Sequence, residues 1–67
     1  MNDREKAIVQ GYIDCIEGRQ VAYALRDNGK WTKTRNPKKC YKINFQTPDG
    51  LSYCGYPWKI EKMMNND

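Results

Sequence analysis

The sequence predicts an α+β fold, with an N-terminal helix packed on a four- to five-stranded antiparallel sheet that curls into a small barrel. Three observations predict it. Apolar residues recur at spacings of three and four between Ile8 and Ile16, the signature of one helical stripe. From Arg19 onward the period changes to two, the signature of strands. Two glycine turns, Asn28-Gly29 and Thr47-Pro48-Asp49-Gly50, stand between the alternating runs.

Each element follows in order. Asn2, with Glu5 three residues later, fits a capping box, and the stripe Ile8, Val9, Tyr12, Ile13 and Ile16 runs on to Gly18, a left-handed stop, giving a helix over residues 3–17. Gly11 inside it lowers helix propensity by about 1 kcal/mol relative to Ala, a loss that makes sense where the helix backbone lies close to a sheet. Residues 19–27 read as a strand whose buried face is Val21, Tyr23 and Leu25. A two-residue type I′ turn at Asn28-Gly29 then sets Arg26 opposite Trp31 and Leu25 opposite Thr32. In that register Arg26, Trp31, Lys33 and Arg35 share the outer face. Asn36-Pro37 ends the second strand, at 30–35, because proline has no amide to give a ladder. A third strand over 40–47 and a fourth over 51–56 put Tyr41, Ile43, Phe45, Leu51 and Tyr53 on one face, with Thr47 opposite Leu51 and Cys54 opposite Asn44. Trp58, Ile60 and Met63 suggest a short closing strand over 58–62, with Trp58 as core at the bottom of the barrel.

A chain of 67 residues buries only about 60% of its unfolded surface, so residues 1–67 form one domain. Such a core has no room for a substrate cavity of about 300 Å³ or more, and function is expected on the surface, without a small-molecule substrate. Cys15, Cys40 and Cys54 are odd in number and suit neither a disulfide framework nor a paired zinc knuckle. Free thiols point to a reducing, cytoplasmic setting. In the proposed register Cys40 and Cys54 lie about 13 Å apart, too far to bond. A zinc site would need a carboxylate as fourth ligand, since the chain has no His. No cofactor is implied. The first apolar stretch, Ala7 to Ile16, is interrupted by Gln10, Gly11 and Asp14 and is too short for a membrane span or a signal sequence, so no membrane partner is expected.

The charge is uneven. Twelve Lys and Arg stand against eight Asp and Glu, and Lys30, Lys33, Arg35, Lys38, Lys39 and Lys42 follow one another with no acidic residue between them. A patch of this density attracts phosphate, and Trp31 and Tyr41 interleave with it as base stacking requires. The bland reading is that these lysines keep sheet edges soluble and that Trp31 only pairs across the strand with Arg26. Tyr56 and Trp58 form a second candidate, as aromatic hot-spot residues of a contact surface. The carboxylates Asp14, Glu17, Asp27, Asp49 and Glu61 fall at helix, cap and turn positions, and no nucleophile with a base appears.

One helix followed by four or five short strands meeting at glycine turns resembles the small Sm-like and SH3-like barrels. More narrowly, Glu17 to Met63 is similar to the WYL-type modules of bacterial regulators, with Asp27, Gly29, Thr34, Arg35 and Pro37 filling the first part of that pattern and Gly50, Tyr53, Gly55 and Tyr56 the second. Of the Trp-Tyr-Leu triad, only Tyr53 has a counterpart. The resemblance implies a regulatory module that contacts nucleic acid or another regulator, with Arg35 as the ligand-type residue that carries over.

The function expected from these readings is a non-enzymatic binding or regulatory module. It engages nucleic acid or a nucleoprotein through Arg26, Lys30, Trp31, Lys33, Arg35, Lys38, Lys39 and Lys42, with Tyr56 and Trp58 as further hot spots. The alternative is a protein-directed inhibitor or adaptor of mobile-element, phage-like type, docked on an acidic surface of a larger enzyme. Nucleic acid and acidic protein surfaces are both anionic, so electrostatics alone does not separate the two.

Overall fold

The computed structural model describes residues 2–65. Helix α1 spans Asp3–Ile16 and opens with the capping box: Asn2 Oδ1 accepts from the Glu5 amide at 2.8 Å, and Glu5 Oε1 accepts from the Asn2 amide at 3.4 Å. Its buried stripe is Ile8, Gly11, Tyr12 and Cys15. A Cβ on Gly11 would lie 2.7 Å from Phe45 Cε2, so the helix backbone does ride against the sheet. Gly18, at φ 82°, turns the chain out of the helix. Gln20 then donates through Nε2 to the carbonyls of Gly11 at 3.0 Å and Gln46 at 2.8 Å, fastening this corner.

Four strands follow, β1 (Ala22–Leu25), β2 (Trp31–Thr34), β3 (Ile43–Gln46) and β4 (Ser52–Gly55), with a 3₁₀ turn η1 (Pro37–Lys39) between β2 and β3. They pair antiparallel in the order β2-β1-β3-β4. This is an open sheet with β2 and β4 as edges, where the sequence suggested a closing barrel. The expected fifth strand is instead helix α2 (Pro57–Asn65). Pro57 takes a first-turn position that suits its fixed φ and missing amide. Pro57 and Ile60 are buried three apart, a helical interval that a short alternating reading of Trp58 and Ile60 overlooked. Trp58 is 58% exposed and is not core.

The first hairpin departs from expectation by one residue. The Gly29 amide donates to the Arg26 carbonyl and the Arg26 amide to the Lys30 carbonyl, so Asp27, Asn28 and Gly29 form a three-residue loop. Gly29, at φ 81°, is the single left-handed residue of the loop, and Asn28 keeps a negative φ. Such a loop combines a type I turn with a glycine bulge, and it sets Leu25 opposite Trp31 and Tyr23 opposite Lys33. Within β1 the faces are also reversed: Ala22 and Ala24 are fully buried, while Val21 and Tyr23 are exposed. The second hairpin has the expected register, with Asn44 opposite Cys54 and the Thr47 amide donating to the Leu51 carbonyl. Leu51 and Tyr41, expected on its apolar face, are exposed at 58% and 73%.

Helix α1 packs across β3 on one face of the sheet, and α2 packs beside it on α1 and η1, adding Ile60 to the same core. The core gathers Ile8, Tyr12 and Cys15 from α1, Ala22, Ile43 and Phe45 from the sheet, and Ile60 from α2. Ala22 of β1 is small enough to join this core, and Tyr12 supplies the volume. Its hydroxyl donates to Glu61 Oε1 at 3.4 Å and ties α1 to α2. Arg4 fastens the second turn by donating to Thr47 Oγ1 at 3.0 Å, Asp49 Oδ2 at 3.2 Å and the Ser52 carbonyl at 2.6 Å. Cys15, Cys40 and Cys54 are all free thiols.

Candidate nucleic-acid interface

With Ala22 and Ala24 turned toward the helices, Val21, Tyr23 and Leu25 face the opposite way. Antiparallel pairing carries that outer side to Trp31 and Lys33 on β2, to Asn44 on β3 and to Ser52 and Cys54 on β4. Tyr23 thus sits between Lys33 and Asn44, with Trp31 diagonal to it on the neighbouring strand. The two rings are 41% and 40% exposed, and neither helix covers this side. Two aromatic surfaces and an ammonium therefore share a solvent-facing sheet.

The remaining cations surround this face without all lying on it. Arg26 falls on the other side of the hairpin from Trp31, where its Nε donates to Thr32 Oγ1 at 2.5 Å, so the sequence-based grouping of Arg26 with Trp31 does not hold. Lys30 is exposed in the turn, its amide donating to Asn28 Oδ1 at 3.0 Å. Arg35 is exposed just beyond β2 and lines a groove with Lys33, Val21 and Glu17. Lys38 and Lys39 project from η1 above the buried Pro37, and Lys39 shares a shallow groove with Leu25, Arg26 and Tyr41. Lys42 lies at the start of β3 with its ammonium 5.9 Å from the centre of the Tyr56 ring.

Charge pairing is confined to the other part of the molecule. Among the described residues, the ion pairs are Arg4 with Asp49 and Arg19 with Asp14 and Glu17. The Arg19 guanidinium and the Gln10 amide hold the Asp14 carboxyl below its ordinary pKa. None of these pairs involves a cation between Arg26 and Lys42. Asp14 and Glu17 at the end of α1 are matched by Arg19, and Asp49 in the second turn by Arg4, while the cations of the basic hairpin and loop have no carboxylate partner among the described residues.

Tyr56 and Trp58, singled out from sequence, come together at the end of β4 and the start of α2. Their rings stack at 6.1 Å and 17°, and Tyr41 meets Tyr56 edge-on at 5.2 Å. The neighbouring Tyr56 hydroxyl, through hydrogen bonding and through its own negative charge when ionised, holds the Tyr41 phenol above its ordinary pKa. Sequence reasoning missed Tyr23 as an outward residue and Lys59 as part of the aromatic group, its ammonium 5.4 Å from the Tyr56 ring centre. The signal for Tyr23 was the pair Ala22 and Ala24, small residues at alternate positions that suit a closely packed inner face. Among the described residues no three His, Cys, Asp or Glu side chains gather as a metal site requires, and no helix is long and apolar enough to cross a membrane.

Compared with known proteins, the chain matches no family model, no curated protein and no solved structure.

Proposed function

We propose that this protein is a non-enzymatic module that binds single-stranded nucleic acid on the open face of its sheet. The observation that carries the reading is the outward row of Tyr23, Trp31 and Lys33, free of helix cover and bordered by cations without carboxylate partners among the described residues. Exposed rings give unpaired bases a surface to stack on, worth about 1–3 kcal/mol per base, and the surrounding lysines meet the phosphates. A single strand fits better than a duplex, since the bases of a duplex are already stacked on one another. The similarity of the turn pattern to WYL-type modules supports the same class, with Arg35 beside Lys33 at the edge of this face.

The alternative, docking on an acidic protein, draws on the same charge but does not call for two exposed aromatic residues on one open sheet face. Alanine replacement separates the two. Trp31→Ala and Tyr23→Ala are expected to weaken binding of an oligothymidylate by about fivefold or more each. Equal affinity of wild type and both variants would remove stacking from the account.

A further inference from the structure

Tyr41, Tyr56 and Trp58 do no work in the core, yet they form an ordered aromatic group at the surface. Trp58 is 58% and Tyr41 73% exposed. Lys42 and Lys59 stand over the Tyr56 ring at 5.9 and 5.4 Å, and Lys59 also lies 5.7 Å from the centre of the Trp58 ring. Neither lysine is paired with a carboxylate among the described residues.

The topology relates this group to the Trp31 face. β1 finishes at Leu25, β2 starts at Trp31, β3 starts at Ile43 and β4 finishes at Gly55, so Trp31 and Tyr56 mark the same end of the sheet at its two opposite edges. Leu25 and Lys42 lie between them, joined by the Leu25 amide donating to the Lys42 carbonyl at 3.0 Å. Three interstrand steps of about 4.8 Å put the edges about 14 Å apart. That is roughly four nucleotides at a stacked rise of about 3.4 Å, and fewer when the strand is stretched.

We infer that Tyr41, Tyr56 and Trp58, with Lys42 and Lys59, are a second base-stacking station, and that one single strand crosses the sheet from Trp31 on β2 to Trp58 beyond β4. This inference rests on the nucleic-acid reading of the Tyr23 and Trp31 face. Lys42, on the side of this station nearer Trp31, is the phosphate contact of the crossing, and Lys59 holds the phosphate next to the base on Trp58. A strand too short to span the sheet meets one station only.

The test is anisotropy of labelled oligothymidylates from two to about ten nucleotides long, at about 50 mM salt, with wild type, Trp31→Ala, Trp58→Ala and Lys59→Glu. Wild-type affinity is expected to climb steeply until the strand reaches about four to six nucleotides and then level. Trp58→Ala and Lys59→Glu should each weaken the hexamer at least about fivefold and change binding of the dinucleotide, which either station can take, by no more than about twofold. Thermal melts accompany the titrations. Lys59 is exposed on α2, so its reversal reads the station even where Trp58→Ala lowers stability. Hexamer binding that falls in Trp31→Ala but stays at the wild-type level in Trp58→Ala and Lys59→Glu would overturn the second station and leave the first. Absence of wild-type binding at every length would overturn both readings, and binding of a decaglutamate peptide in its place would assign the surface to an acidic protein.

Discussion

Gly11 shows how one position joins sequence, packing and fold. A helix interior would gain about 1 kcal/mol from alanine there, but a Cβ would stand 2.7 Å from Phe45 Cε2 and 3.3 Å from the Gln46 carbonyl oxygen. Overpacking of this kind typically costs about 1–3 kcal/mol, so it wins. Gly11→Ala is expected to lower the urea midpoint, with a net loss of stability of up to about 2 kcal/mol. Tyr12 makes a second residue-scale case. Burial, reinforced by the Glu61 carboxylate, pushes its phenol from an ordinary 10.0 up to about 12. The folded pKa lies above the unfolded one, so the stabilisation is complete below pH 10 and is lost as pH rises toward 12. Unfolding titrations across that window should show a loss of roughly 2 kcal/mol that Tyr12→Phe removes. Gly11 was legible in the sequence because glycine in a helix interior asks for a close neighbour. The identity of that neighbour, Phe45, needed the fold.

At the scale of elements, the two hairpins were read with unequal success for a physical reason. Thr47-Pro48-Asp49-Gly50 allows one good turn, held by Asp49 accepting from the Thr47 hydroxyl and from the Leu51 amide at 3.2 Å. The Thr47 hydroxyl, with the Leu51 amide and Arg4, keeps the Asp49 carboxyl below its ordinary pKa. Its contribution is therefore present above the unfolded carboxyl pKa and fades as pH falls through the acid range. Asp49→Ala should flatten that part of the acid unfolding curve. Asn28-Gly29 allows two turns that differ by one residue. The three-residue loop needs a single left-handed glycine, so Gly29→Ala should cost about 1 kcal/mol in a thermal or urea melt. The slip in register coincided with a reversed reading of β1, which took Val21, Tyr23 and Leu25 as buried because they are large. The two errors cancelled on β2: Trp31 and Lys33 face outward as expected, and Tyr23 joins them. Helix α2 was missed because its nine residues offer only two buried positions, Pro57 and Ile60, and Trp58 with Ile60 mimics strand alternation.

Over the whole molecule, charge and shape are sorted together. Acids concentrate on α1 and the second turn, where Arg19 matches Asp14 and Glu17 and Arg4 matches Asp49, while the hairpin, η1 and the start of β3 carry cations without such partners among the described residues. That excess was visible in the sequence as a run of lysines. Its disposition was not, since Arg26 falls on the far side of the hairpin and Lys38 and Lys39 project from η1. What unites the surface is the uncovered sheet, with aromatic rings at both edges of one end. An open sheet clad by helices on one side has a free face that a closed barrel of the same strands would turn partly inward. The salt dependence of single-strand binding is the most direct measurement of this claim. With three or four phosphates neutralised by the cations that border the sheet, the logarithm of the association constant should fall against the logarithm of salt concentration with a slope of about −2 to −3. A slope near zero, or no binding at about 50 mM salt, would contradict it.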